Sequence, residues 1–397
     1  MPQLSKPALW PRFSSPVRST ALTARIGSLV GIFFTVCFVT GLVSHYQYQP
    51  WSWLPEPASP VFLYRVTQGT HVVTGIATIP LLLVKLWSVY PNLFRWPLAR
   101  SPKHALERGS VFVLVAASLI QLTTGFFNVL GWYPWPWGFV KVHFLLAFVI
   151  IGSILIHIGV KLPDINYGLR ARLEDADVLT EIPWSENPDA HSNAGDVVPP
   201  TTPALGRRGL LVATGVGVAA VVATTAGQTL TPLRSIGLLA PRLPSKGPQG
   251  VPVNRTAQEA GVMPLATAKD WSLQVDGPRP FVLSLAEIEE LAKHEAQLPI
   301  TCVEGWSVGA DWRGLRLLDV VRRAGGDADS RVHLISLETR GAYRDSFVEG
   351  PQVSHAMLAT HLNGQRLNLD HGYPLRLIAP NRAGVLNTKW LGRIEVS

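Results

Sequence analysis

Ile300-Thr301-Cys302-Val303-Glu304-Gly305-Trp306-Ser307 is the stretch on which the reading of this chain turns. A strand-like Leu298-Pro299-Ile300-Thr301 leads into a thiol, and a Gly-Trp turn follows it. The chain has two cysteines, Cys302 and Cys37, and Cys37 sits inside an apolar run, so no disulfide framework is available. A buried free cysteine reads, on its own, as a small hydrophobe. A thiolate in a fixed turn also reads as a ligand for a soft metal. The rest of the sequence decides between the two.

Moving outward, the 397 residues are 47% hydrophobic and only 16% charged, which is too apolar for a wholly soluble chain of this length. Charge-free windows fill the N-terminal part, whereas charged residues recur from Lys246 to Ser397, so two unlike halves are expected. A bilayer core takes about 20 residues of helix to cross. Ile26 to Ser44, Val66 to Val84, Gly109 to Leu130, Val142 to Val160 and Gly209 to Thr231 are long enough. Basic residues gather before the first segment (Lys6, Arg12, Arg18, Arg25), between the second and third (Lys85, Arg95, Arg100, Lys103, Arg108) and between the fourth and fifth (Lys161, Arg170, Arg172, Arg207, Arg208). The positive-inside rule makes those stretches cytoplasmic and everything after Thr231 external. The formal charge of +8 therefore reads as topology in a cell membrane, with the lipid bilayer as partner and no nucleic acid. Trp51, Trp53 and the run Trp132 to Trp137 fall in the external loops, where interfacial aromatics belong.

Histidine inside a membrane helix is costly unless it faces the bundle interior and has a partner. His143 and His157 are 14 residues apart, which at about 100° and 1.5 Å per residue places them on one helix face about 21 Å apart. They can serve two sites, one near each surface. His71 lies at a depth matching His143, and His104, following the helix-start signal Ser101-Pro102, lies near the depth of His157. Two imidazoles facing each other across a helix bundle suit a six-coordinate haem iron. The alternative is histidines that hydrogen-bond neighbouring helices.

The four-helix segment resembles the di-haem cytochrome b membrane subunits typified by the gamma subunit of formate dehydrogenase, where two histidines 14 apart on the fourth helix bind different haems. The resemblance implies haem b, with His143 and His157 as fourth-helix ligands and His71 as the second-helix ligand of the outer haem. The first-helix ligand of that family falls on Gly27 here. One haem is expected, and a second would rest on His104.

From about Pro252 onward the chain resembles the catalytic domain of the sulfite oxidase family of molybdenum-pterin enzymes, nearest the branch of the periplasmic methionine-sulfoxide reductase. That resemblance implies a molybdenum-molybdopterin cofactor whose metal takes the thiolate of Cys302. It further implies cofactor contacts from Asn254 and Glu259 in an early loop and from Thr339. His371 and Arg376 follow in His371-Gly372-Tyr373-Pro374-Leu375-Arg376, and Asn387-Thr388-Lys389 matches a phosphate cradle. Sulfite oxidases carry arginines just after the cysteine, whereas Val303 to Ser307 carry none, which disfavours a strongly anionic substrate. Arg340, Tyr343, Arg344, Asp345 and Trp306 are further pocket candidates.

The expected architecture is a membrane α-helical bundle, four haem-binding helices and a fifth anchoring helix, followed by an α+β, mainly β, molybdopterin domain. Its boundaries are a cytoplasmic segment 1–24, a cytochrome b domain 25–162, a linker 163–206, a fifth helix 207–231, a linker 232–251 and the oxidoreductase domain 252–397. Arg207-Arg208 before a Gly, Ala and Val-rich stretch reads as a twin-arginine export signal retained as an anchor, with an ordinary positive-inside stop as the alternative. Strands are expected over Trp271 to Val275, Arg331 to Leu337 and Leu375 to Ala379, and helices over Leu285 to His294 and Leu315 to Arg323. The expected activity is oxygen-atom transfer on an S- or N-oxide outside the membrane, with haem b relaying electrons to or from the quinone/quinol pool. The alternatives are a sulfite-type dehydrogenase passing electrons inward and a haem protein whose outer domain is degenerate.

Overall fold

The computed structural model describes residues 17–51, 53–93, 101–174 and 206–397. Among them are five helices long and apolar enough to cross a membrane. These are α1 (Thr20–Tyr48), α2 (Leu63–Leu93), α3 (Pro102–Leu130), α4 (Phe139–Arg170) and α5 (Arg207–Thr225). The chain divides into two compact units.

The first unit holds the described residues of Met1–Cys37, Val73–Asn128 and Trp132–Val222. Here α4 runs through Pro163 to Arg170, past the Val160 end expected from hydropathy and into the stretch read as a linker. Tertiary contact accounts for the extension. The Arg25 guanidinium of α1 donates to the carbonyls of Gly168 at 3.2 Å and Ala171 at 2.9 Å. At Gly168 the chains are so close that a Cβ would stand 2.6 Å from the Thr20 carbonyl oxygen. On α4, Ile150 is fully buried and His143 and His157 are half-buried, whereas Leu145, Phe148, Leu155 and Ile156 are exposed. The three residues seven apart thus share the inward face. Thr124 Oγ1 of α3 lies 3.4 Å from His143 Nδ1. Beside Gly27, where the cytochrome resemblance wants a first-helix ligand, stands the Lys85 ammonium, which donates to the Thr23 carbonyl at 2.9 Å. His104 is in the first turn of α3, and its side chain lies outside the described residues.

The second unit holds Phe38–Val72, Val129–Gly131 and Ala223–Ser397, so it includes the end of α1 and the beginning of α2. Its strands are β1 (Ser272–Asp276), β2 (Phe281–Ser284), β3 (His294–Thr301), β4 (Ser307–Arg316), β5 (Val332–Ser336), β6 (Asp345–Val348), β7 (Met357–Leu362), β8 (Gln365–Arg366), β9 (Arg376–Ile378) and β10 (Leu391–Val396). One sheet has the order β2-β1-β10-β5-β6, with β1 and β10 parallel. The other has the order β3-β4-β7-β8, with β9 also on β7. Alternation along β4 buries Val308, Ala310 and Trp312 and exposes Gly309, Asp311 and Arg313, as a strand with one face on a core requires. Where β4 bulges against β7, a side chain at Gly314 would collide with the Leu358 carbonyl.

Ser284 caps the helix Leu285–Leu291, and Ser284 with Glu287 forms a reciprocal capping box. That helix stops three residues before the expected His294, because His294 pairs with Gly314 to open β3. Likewise Leu315 and Arg316 belong to β4, and the next helix covers Leu317–Arg323. The fifth membrane-length helix ends at Thr225 rather than Thr231, giving way to a short 3-10 turn at Ala226–Gln228. There Gly227 packs on the backbone of Gly237, leaving no room for a side chain.

Candidate active site

β3 delivers Cys302 and β4 carries the chain away, with a tight turn between them. The Cys302 amide donates to the Trp306 carbonyl at 2.9 Å and the Gly305 amide to the Cys302 carbonyl at 3.0 Å. Gly305 has φ +99°, a left-handed value that glycine adopts without a Cβ clash. Cys302 is 3% exposed. Asn254 Nδ2 donates to its sulfur at 2.9 Å, and the Glu304 amide does so at 3.4 Å. Trp306 Nε1 holds Asn254 in turn, donating to Oδ1 at 2.9 Å. Glu304 is ion-paired with Arg242.

Burial pushes the Cys302 thiol up to about 12, the Glu304 charge adds to the rise, and the two donors and Arg242 oppose it. Burial also raises Glu304, countered by Arg242. A thiol so placed is inert by itself. Donors aimed at a sulfur in apolar surroundings stabilise a thiolate once a cation is there to neutralise it.

A second cluster is cationic. Arg376 on β9 is 2% exposed. It donates through Nη1 to the His371 carbonyl at 2.9 Å and through Nη2 to the Asn387 carbonyl at 3.4 Å, lies over the Trp312 ring, and leaves Nε buried without a partner. Lys389 Nζ donates to the carbonyls of Arg255 at 2.6 Å and Asp370 at 2.9 Å. Among the described residues neither cation has a salt bridge. Burial, and then Arg376, bring Lys389 down to about 7. Burial brings Arg376 to about 9. Burial, followed by Arg376, lowers His371 to about 4, and its Nε2 lies 2.8 Å from the Pro248 carbonyl. Buried cations that repel one another, with an orphan guanidinium N–H, form a site wanting an anion.

Asn254 and Arg255 join the two clusters, the first at the sulfur and the second at Lys389. Of the residues expected from sequence, Cys302, Asn254, His371, Arg376, Asn387 and Lys389 lie in these clusters. Asn387 Oδ1 is taken by the Ala379 amide at 2.9 Å and Thr388 Oγ1 lies 2.7 Å from Ser346 Oγ, so both side chains brace the fold. The Glu259 carboxylate closes a capping box with Thr256 and is exposed, and Thr339 is exposed. The Glu259 carboxylate also interacts electrostatically with Arg255 and Lys389.

Sequence reading missed several residues. Arg242 lies in the stretch 232–251 expected as a linker, which is built into this unit: Gln249 Nε2 donates to the Leu362 carbonyl at 3.0 Å, and Arg242 pairs with Glu304. Tyr48, at the end of α1, has its hydroxyl 2.6 Å from that of Tyr343. The loop between α1 and α2 is tied down by Glu56, 3.3 Å from buried Arg382, and by Asn381 Nδ2, which donates to the carbonyls of Pro57 at 3.1 Å and Pro60 at 2.7 Å. None of these belongs to a local motif.

Residues 260–397 match the family model described as the oxidoreductase molybdopterin binding domain. The second unit therefore carries a molybdopterin-binding oxidoreductase domain. It is similar to mitochondrial sulfite oxidase of Drosophila melanogaster, with 31% identity over 166 residues, 34% of this chain and 28% of that protein. It is similar to the uncharacterized oxidoreductase YuiH of Bacillus subtilis (strain 168), with 30% identity over 131 residues, 32% of this chain and 64% of the relative. The catalytic subunit MsrP of the protein-methionine-sulfoxide reductase of Xanthomonas campestris pv. campestris is 32% identical over 144 residues, 32% of this chain and 44% of that one. The chain spans less than two thirds of the length of each of these relatives.

Proposed function

We propose that this chain is a membrane-bound molybdenum oxidoreductase that transfers an oxygen atom on an S- or N-oxide substrate outside the membrane and exchanges electrons with the quinone pool through haem b. The observation that carries the reading is the pairing of a buried sulfur that accepts two hydrogen bonds with a buried Arg376 and Lys389, neither of which has a salt bridge among the described residues. Those residues fit the cofactor: Cys302 would hold the metal, and Arg376 and Lys389 would hold the phosphate, with His371 beside them. When bound, the cofactor supplies two-electron exchange of an oxygen atom. The chain supplies the rest. Asn254 and the Glu304 amide stabilise the thiolate, Trp306 holds Asn254 in place, and burial of the turn keeps water from the sulfur.

The substrate reading rests on charge. Val303 to Ser307 bring no arginine, and Arg344 is exposed and lies 3.8 Å from Asp345. A neutral oxide suits such a site better than a dianion, and the name of the methionine-sulfoxide reductase relative points the same way. For the helices we propose haem b on His71 and His143, with His157 and His104 as the ligands of a second haem. Lys85 beside Gly27 favours a single haem, since it fills the place of a first-helix imidazole. External placement of the second unit, by twin-arginine export through Arg207 and Arg208, completes the reading.

Metal and haem analysis of the purified full chain tests it, together with turnover of methionine sulfoxide, N-oxides and sulfite followed by haem absorbance. Molybdenum near one per chain, haem present and haem oxidation by a sulfoxide are expected. Haem reduction by sulfite, without oxidation by any oxide, would reverse the proposed direction.

A further inference from the structure

The Cys302 turn is held from outside by three side chains distant in sequence. Gln68 Nε2, near the start of α2, donates to the Val303 carbonyl at 2.9 Å. Gln228 Nε2 donates to the Glu304 carbonyl at 3.1 Å, and Thr229 Oγ1 to the Gly305 carbonyl at 2.6 Å. All three are buried: Gln68 and Thr229 are 7% exposed and Gln228 is 0%. Three consecutive carbonyls are thus each captured by a side chain, and Val72 closes on Gly305 so tightly that a Cβ there would stand 2.9 Å from a valine methyl.

The three bonds are not equivalent. The Val303 carbonyl belongs to the same peptide group as the Glu304 amide, which points at the Cys302 sulfur. The Glu304 carbonyl shares its peptide group with the Gly305 amide, which points at the Cys302 carbonyl instead. A donor on a peptide carbonyl polarises the N–H of that peptide and strengthens the bond the N–H makes. A stronger N–H···S bond withdraws electron density from the sulfur, and hydrogen bonds to ligand sulfurs are among the groups that set a metal centre's potential.

We propose that Gln68 is a positioning residue that acts through the 303–304 peptide on the Cys302 sulfur and raises the reduction potential of the metal that sulfur holds, while Gln228 and Thr229 only fix the turn. The proposal rests on the reading of Cys302 as a molybdenum ligand. Its effect is local and electronic. With a cooperative strengthening of roughly 10–30% on a charged hydrogen bond, losing the Gln68 donor weakens one-electron reduction of the metal about 1.3- to 4.6-fold, or about 7–40 mV at 59 mV per tenfold.

The test is a redox titration of detergent-solubilised full chain, read by the Mo(V) electron paramagnetic resonance signal, on wild type, Gln68→Met, Gln228→Met and Thr229→Val, with molybdenum content measured on each. Gln68→Met is expected to lower the potential and shift the Mo(V) g-values, with molybdenum content kept; the two controls keep wild-type potential and signal. Gln68→Lys, which keeps a donor and makes it charged, is expected to move the potential upward and serves if Gln68→Met does not accumulate. Equal shifts in Gln68→Met and Gln228→Met, or a Gln68→Lys protein at the wild-type potential, would overturn the proposal while molybdenum content upholds the functional reading. Wild type without molybdenum would overturn both.

Discussion

Replacing Lys389 with methionine separates the stability of the empty site from its ability to hold an anion. In the empty protein the ammonium has fallen from 10.5 to about 7, chiefly through burial and then through Arg376. Keeping it protonated costs on the order of 5 kcal/mol at 1.36 kcal/mol per pH unit. Methionine keeps the stem that packs by Trp390, where Nζ now lies 4.1 Å from the ring centroid. It loses two hydrogen bonds from a charged group to carbonyls, about 1.5–3 kcal/mol each. Near pH 7 the two effects therefore largely offset each other, and the variant should lie within about 2 kcal/mol of wild type. The pH dependence is the sharper signature. Because the folded value lies below the unfolded one, the unfolded chain binds the extra proton between about pH 7 and 10.5, so wild-type stability rises with pH across that window by up to about 1.4 kcal/mol per unit. Lys389→Met lacks this slope, and its stability relative to wild type should fall by about 2.5 kcal/mol between pH 7.5 and pH 9.5. Calorimetry on full-length protein from a host that makes no molybdopterin measures it. In the same variant made with cofactor, molybdenum content should fall. A stability difference between the two proteins that does not change between pH 7.5 and pH 9.5 would refute the account of Lys389 as a cation held against the cost of its burial.

Three further outcomes are expected. Arg242→Met leaves the Glu304 carboxylate buried and unpaired beside Cys302, and should destabilise the second unit by about 3–5 kcal/mol, measured by thermal unfolding. Gly305→Ala places a Cβ against Val72 at a φ of +99°, so expression and molybdenum content should both drop, by a loss of about 1–3 kcal/mol in stability, with Gly309→Ala, where nothing lies within 4 Å, as the harmless comparison. His143→Ala should remove haem absorbance while leaving molybdenum content at the wild-type level, as read by optical spectroscopy and metal analysis.

Much of the fold was legible because local chemistry and tertiary structure agree. The Ser284-x-x-Glu287 capping box marks the start of its helix, and the charge-free windows mark five helices, although their ends shift by several residues where contacts intervene, as at Gly168 and Gly227. His294 reads as helical from sequence because strand pairing with Gly314 leaves no local trace. Within the site, Cys302, Arg376 and Lys389 stand in recognisable short motifs. Their supports do not: Gln68 is 235 residues from the carbonyl it holds, Gln228 and Thr229 are 76 from theirs, and Arg242 is 62 from Glu304. Glu259 is harder to place from sequence, since an acidic residue in an early loop has two uses, and here its carboxylate caps Thr256.

Asn254 and Arg255 touch opposite ends of the site, one at the sulfur and the other, through its carbonyl, at the Lys389 ammonium. Adjacent Cα atoms are 3.8 Å apart across a trans peptide. A single peptide bond thus works as a gauge block between the soft end and the anion-binding end. Inserting or deleting one residue at that point would throw the two ends out of register without disturbing either, so the length of this loop, more than its composition, is what the site is built to measure.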